Sequence, residues 1–277
     1  MAETAFQVKY RNETIAGFEK SESLVRKTVV KEFVKEGGSA VFLVADSGGA
    51  TAVTRGPNGD IPTRPDSLTQ TTATLVEWHD IPEKTRFNIF AGQGDQRALM
   101  QRTSQAVINR RIDTDINTEL ATASVTWGAA AVATLALVSK AKTKLANAFA
   151  AGGSDEVFAQ ITPAYHAYLM GINEFSSADF INTKPFDGVS KDDAFKWWGV
   201  NWIVNPALDG AGTSSATCFM YNKNAIGHAC DMDTMDTHVG YDEKNDKSWC
   251  RASVFMGSAL LQNAGVVKML HDDSAYS

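Results

Sequence analysis

The sequence predicts an α+β fold made of one long helix, one long β-hairpin and a compact region of mixed short elements. Three stretches carry that prediction. Residues 95–122 (DQRALMQRTSQAVINRRIDTDINTELAT) place apolar side chains at three- and four-residue steps with no Gly or Pro. Residues 39–80 hold two β-rich runs around a polar, turn-rich centre. From about Val157 the texture changes to short apolar runs separated by turn signals.

The totals set limits on the class. The 277 residues suffice for one large domain or two small ones, and 44% hydrophobic residues fit a folded chain. A formal net charge of -6 argues against a general nucleic-acid binder, which needs clustered Lys and Arg. It also argues against tight contact with an anionic membrane. Three cysteines, Cys218, Cys230 and Cys250, supply no disulfide framework and suit a reducing compartment. The start MAETAFQVKY has no apolar signal core, and no run approaches the length of a membrane helix.

Residues 1–36 read as an arm with seven basic and six acidic residues. Phe6, Val8 and Tyr10 alternate, and Leu24, Val25, Val29, Val30, Phe33 and Val34 form a short amphipathic pattern before Gly37-Gly38. So little apolar surface predicts that the arm lies on a neighbour instead of folding alone. In the hairpin, SAVFLVAD (residues 39–46) and LTQTTATLVEW (residues 68–78) are the strands, and Pro57-Asn58-Gly59 marks the turn. A two-stranded ribbon needs outside support, from its own chain or from another subunit.

Thr85–Phe90 (TRFNIF) is expected as a short strand. Asp95 is the expected N-cap of the long helix, which at 1.5 Å per residue spans about 40 Å. Its stripe is Leu99, Met100, Thr103, Val107, Ile108, Ile112, Ile116 and Leu120, with Asn109, Asp113 and Asp115 facing away. A second helix is expected from Val132 to Phe149, closed by Gly152-Gly153. Short strands and helices are expected at 157–161, 163–170 and 197–204, strands at 216–221, 248–255 and 266–270, and a short helix at 224–229.

No catalytic motif emerges. His228, Cys230, Asp231, Asp233, Asp236, His238 and Cys250 gather metal-capable side chains, without the CxxC or HExxH spacing that lets ligands converge. As a calcium loop, Asp236 occupies the sixth position, where Gly is required. Gly92-Gln93-Gly94 lacks the third Gly and the distal acid of a dinucleotide site. Ser139-Lys140-Ala141-Lys142 has no SDN or KTG partner. His79, His166 and His271 are isolated, and Trp197, Trp198 and Trp202 read as aromatic core or subunit contact.

The order of parts resembles the major capsid proteins of tailed bacteriophages, the Hong Kong 97-type fold. The matching stretches are TATLVEWHDIPEKTRFNIFAGQGDQRALMQRTSQAVINRRIDTDI, ITPAYHAYLM, FMYNKNAIGHA and RASVFMGSALLQNAGVVKML. The resemblance implies an N-terminal arm (1–36), an extended E-loop hairpin (37–83), and a P domain with a long spine helix (84–125). An A domain (126–245) and a return to the P domain (246–277) complete it. It implies a structural protein, with no enzymatic activity and no cofactor, that self-assembles into pentamers and hexamers of an icosahedral shell. That shell encloses double-stranded DNA, touched only by weak non-specific contact. A scaffolding protein and a portal are implied partners, no membrane is, and the place is the virion, assembled in the host cytoplasm. Because the chain reaches the arm directly from Met1, any scaffold is expected to be a separate protein.

Some relatives cross-link subunits through an E-loop Lys, and no Lys occurs here between Ser39 and Glu83. Charged contacts are the expected substitute. The assembly residues expected are Arg55, Asn58, Asp60, Arg64 and Asp66 at the hairpin tip and Leu24, Val29 and Phe33 in the arm. Two alternatives stand beside this reading: an encapsulin-like bacterial compartment shell, and a metal-dependent enzyme using His228, Cys230, Asp233 and His238.

Overall fold

The computed structural model describes residues 22–47, 49–64, 67–92, 95–152, 156–176, 194–231 and 236–276. In chain order the strands and helices begin with β1 (Val30–Phe33), β2 (Ser39–Asp46), β3 (Ser67–Thr74), β4 (Val76–Asp80) and β5 (Glu83–Thr85). Helices α1 (Arg86–Ala91), α2 (Gln96–Ala121) and α3 (Leu135–Asn147) follow. Then come β6 (Val157–Ile161), α4 (Pro163–Met170), α5 (Asn173–Ser176), β7 (Ala194–Trp197), β8 (Val200–Val204) and β9 (Ala216–Asn222). The series closes with β10 (Ile226–Cys230), β11 (Asp236–Asp242), β12 (Lys247–Leu260) and β13 (Val266–His271).

Strand β12 organises the first sheet. β11 pairs with its first half and β10 with its end, while β4 and β5 pair along the opposite edge. β1 adds to β10 in parallel. A second sheet runs β13-β9-β6-β8-β7, antiparallel except for β6 beside β8. The third sheet is the β2–β3 ribbon, in register from Ser39 opposite Thr74 to Asp46 opposite Ser67.

Helix α2 lies along β12. Asp95 caps it, its carboxylate accepting from the backbone N–H of Arg97 and Ala98 at 3.1 Å. Near one end the Arg97 guanidinium donates to Ser248, and near the other Asp115 accepts from Ser258. These ties lie eighteen residues apart on the helix and ten on the strand. That corresponds to about 27 Å and about 34 Å, so the two run in the same direction with a modest crossing. The strand face that carries the ties also holds Cys250, Ala252, Val254 and Met256, all buried.

The covered residues of α2 differ in part from the expected stripe. Met100, Ser104, Ile108, Ile112, Ile116 and Leu120 recur at strict four-residue steps. Each step turns the face by about 40°, so the buried side winds round the helix as successive elements cover it. Val107 falls outside that path and is exposed, while Asn109, expected on the outer face, is buried.

Four other expectations are corrected. Residues 86–91 form helix α1 because the Thr85 hydroxyl caps the Asn88 N–H. Residues 226–230 form strand β10, entirely buried between β1 and β12, where edge pairing outweighs local propensity. The arm residues 26–28 make a single 3-10 turn, and 30–33 a strand.

Helix α3 starts at Leu135, capped by Thr134, and stops at Asn147, leaving Val132 and Phe149 exposed. Its end is a Schellman motif: Phe149 N–H donates to Ala146 O and Ala150 N–H to Leu145 O, both at 2.9 Å. Phe149 takes the left-handed position with φ 56°, which costs a residue with a Cβ about 1 kcal/mol. The expected stop at Gly152-Gly153 comes later, and Gly153 lies outside the described residues.

The second sheet closes over an aromatic core of Trp127, Tyr165, Phe175, Phe195, Trp197 and Trp202. Tyr165 stacks on Trp127 and meets His271 at a tilt, with centroids 6.0 and 4.6 Å away. Trp198 and Gly199, both at positive φ, make the two-residue turn that returns β7 as β8. The Lys142 ammonium lies 4.2 Å from the Trp198 ring centroid.

Gly257 of β12 sits where the hairpin crosses: a Cβ there would lie 2.1 Å from the Thr74 carbonyl oxygen. Gly257→Ala is therefore expected to cost about 2 kcal/mol in urea unfolding. Gly38→Ala, where a Cβ meets nothing within 4 Å, should change it by less than about 0.5 kcal/mol.

Candidate assembly surface

The arm is tied to its own chain. Asp113 of α2 reaches its turn: the carboxylate accepts from the Ser23 hydroxyl and from the backbone N–H of Leu24 (3.1 Å) and Val25 (3.3 Å). Val25 and Val29 are buried in the main core. Thr28 then meets the Tyr221 hydroxyl, which accepts from Gln160, whose amide oxygen accepts from Asn205. Burial pushes the Tyr221 phenol well up, so it stays a neutral link in this chain. Of the expected arm contacts, Val29 has no surface left for a neighbour, Leu24 is half-buried, and Phe33 is 44% exposed.

The hairpin has two unlike halves. At its base Ala40, Phe42 and Ala73 are buried against Ala229 and Ala259. Gly227 of β10 makes room for the Phe42 ring, which would lie 2.8 Å from a Cβ there. Alternation puts Val41, Leu43 and Leu68 on the opposite face, and all three are exposed, Leu43 by 64%. Beyond the ribbon, a tight turn closes the tip, with Gly56 N–H donating to Asp60 O and Gly59 at φ 82°. The Arg64 guanidinium donates to the Ser47 carbonyl at 3.2 Å. Arg55, Asn58, Asp60 and Arg64 are all exposed, and no ion pair joins them among the described residues. Asp66 lies outside the described residues.

The metal-capable cluster is dispersed. His228 pairs with Ser258 in the ladder and His238 with Arg251, seven residues apart on β12, a separation of about 23 Å. Cys230 is buried and accepts from the Arg26 guanidinium, and Asp233 lies outside the described residues. Among the described residues no three His, Cys, Asp or Glu side chains gather to hold a metal.

His228 instead joins a strut between α2 and the sheet. Its Nδ1 lies 3.0 Å from the Ser258 hydroxyl, which donates to Asp115 at 2.6 Å. The carboxylate holds the serine rather than the histidine, the reverse of a catalytic triad. Burial, then the Arg26 and Lys31 charges, lower the His228 pKa to about 4.

The remaining isolated groups have structural partners. His271 and the Thr162 hydroxyl meet Asp273, which also accepts from Gly212 N–H and so ties the 206–212 loop to the chain end. Lys142 of the SxxK match is engaged with Trp198. Asp113 and Asp115 were missed as anchors because periodicity places them off the apolar stripe. Their flanking of Ile112 and Ile116 was the available signal.

Comparison with known proteins follows this geometry. A family model described as phage capsid protein matches residues 2–273. A chain from Mycobacterium phage Che8 superposes with TM-score 0.76 at 12% identity, covering 97% of this chain and 98% of its own. A chain of the capsid of a native GTA particle gives 0.70 at 14% identity, over 98% and 96%. One from the capsid of the cyanophage P-SCSP1u gives 0.68 at 13%, over 96% and 93%. All three share this fold. No curated protein matches the chain in sequence.

Two predictions test the anchors. Asp113→Ala leaves three donors of the arm turn without their acceptor. It is expected to cost about 2 kcal/mol and to raise tryptic cleavage after Arg26, Lys27 or Lys31 at least about tenfold.

His228 makes stability pH-dependent. Its pKa is about 4 when folded, against 6.5 for an ordinary histidine. Above pH 6.5 neither state binds the proton and stability is full. Between 6.5 and 4 the unfolded chain takes it up first, so up to about 3 kcal/mol is lost as the pH falls. The slope difference between wild type and His228→Asn over that window, from urea titrations, should show this loss.

Proposed function

The chain belongs to the phage capsid protein family, and from that premise we propose how its parts serve a shell. It is a capsid shell protein of the bacteriophage type, a structural component of the virion. In our reading its copies form pentamers and hexamers, and these close an icosahedral shell around double-stranded DNA. A scaffolding protein and a portal complete assembly in the host cytoplasm, and the role is structural rather than catalytic. Residues 37–83 act as the E-loop, 84–125 with 246–277 as the P domain with α2 as its spine, and 126–245 as the A domain.

The observation that carries this reading is the divided hairpin. Its base is held by Phe42 on its own chain, while its outer face and charged tip are exposed, with no cover among the described residues. An exposed ribbon edge is a hazard in a monomer and an asset where a neighbouring copy covers it. Many modest contacts of this kind, shared among neighbours, let an assembling shell correct its errors. Of the three arm residues expected at a contact, Phe33 is exposed and Leu24 half-buried, so these two offer surface for it.

Arg55→Glu with Arg64→Glu reverses the positive charge of the tip without touching the core. Light scattering and negative-stain electron microscopy are expected to find wild-type shells or rings, and for the variant a folded species near the 29.9 kDa chain mass. Normal particles from the variant would remove the tip from assembly. A wild-type chain that stays monomeric at every concentration would overturn the shell reading itself.

A further inference from the structure

Phe149 is the most exposed large hydrophobic side chain among the described residues, at 96%. It also occupies the left-handed position of a Schellman motif, with φ 56°, where Gly is strongly preferred. A sequence that puts a phenyl ring there accepts both a strained backbone and a wet aromatic face. Neither helps the isolated chain.

The surface around the ring is small and uncharged. Ala146, Asn147 and Ala148 are exposed beside it. The ring stands on the rim of a cleft of about 210 Å³ lined by the small Ala148, Ala225 and Ala264 and by the polar Asn222, Asn224 and Gln262. Among the described residues Glu156 is the only charged one in the lining. A knob and a hole side by side on one surface are self-complementary, since a single rotation carries the knob of one copy to the hole of another.

We infer that Phe149 seats in this cleft of a second copy of the chain and anchors an assembly contact there. The inference rests on the capsid-shell reading, which makes another copy the partner at hand. Charge favours the same occupant. With one acid and no Lys or Arg among the described lining residues, a nucleic-acid phosphate has no counter-charge there, whereas an aromatic ring in a slot of small and amide side chains is a typical protein–protein anchor.

Phe149→Gly separates folding from assembly. Relief of the left-handed backbone should raise the Tm by about 2–4 °C. Loss of the ring should raise the protein concentration needed for assembly about tenfold or more, read by light scattering. Phe149→Tyr, which keeps a ring, should assemble like wild type, and Ala264→Trp, at an exposed position, should fill the cleft and impair assembly. If wild type assembles and Phe149→Gly does so at the same concentration, this inference is wrong and the shell reading stands. Unimpaired assembly of Ala264→Trp removes the cleft as the seat. If wild type itself never assembles, the shell reading has failed instead.

Discussion

The fold depends on one strand being paired along both edges while one helix lies along its face. β12 gathers β10 and β11 on one side and β4 and β5 on the other, so segments from all along the chain meet there. Helix α2 rests on that strand by burying apolar side chains of both, Ile108, Ile112 and Ile116 on the helix and Ala252, Val254 and Met256 on the strand, in one core. The polar ties at Arg97–Ser248 and Asp115–Ser258 then set how far the helix slides along the strand.

The peripheral parts hang from this frame by a few specific groups. Gly257 and Gly227 clear a path for the hairpin base, and Phe42 fills it. Asp113 holds the arm turn, and the buried chain from Thr28 to Asn205 carries the arm's position through to the second sheet. The result is a chain complete at its centre and unfinished at its rim. Leu43, Leu68, the hairpin tip and Phe149 all present surface that a lone monomer does not use. That division suits a capsid protein, whose subunits must fold before they meet and still have reason to meet.

The dispersal of the metal-capable residues follows from the same frame. His228, Cys230 and His238 are neighbours in sequence, yet β10 and β11 lie end to end along one edge of β12. Pairing with opposite ends of β12 turns a sequence cluster into separate sites, one inside the protein and one on its surface. His228 serves as an uncharged part of the strut, which is why acid rather than metal is the agent that should disturb it.

Much of the frame was legible in the residues themselves. The uninterrupted run after Asp95 specified a helix with its cap. Alternation with Pro57-Asn58-Gly59 specified a hairpin, and the run from Ser248 into Val266–Leu270 specified the closing strands. These signals are local, because a helix or a hairpin is defined by its own period and turn chemistry. What sequence alone did not determine was whatever depends on the partner of a segment. Residues 226–230 became a strand because β1 and β12 flank them, and the covered stripe of α2 wound because several elements cover it in turn. Val29 turned inward, Asp113 became an anchor, and Phe149 was left in the open for the same reason: burial belongs to pairs of surfaces, and only the tertiary structure decides which surfaces meet.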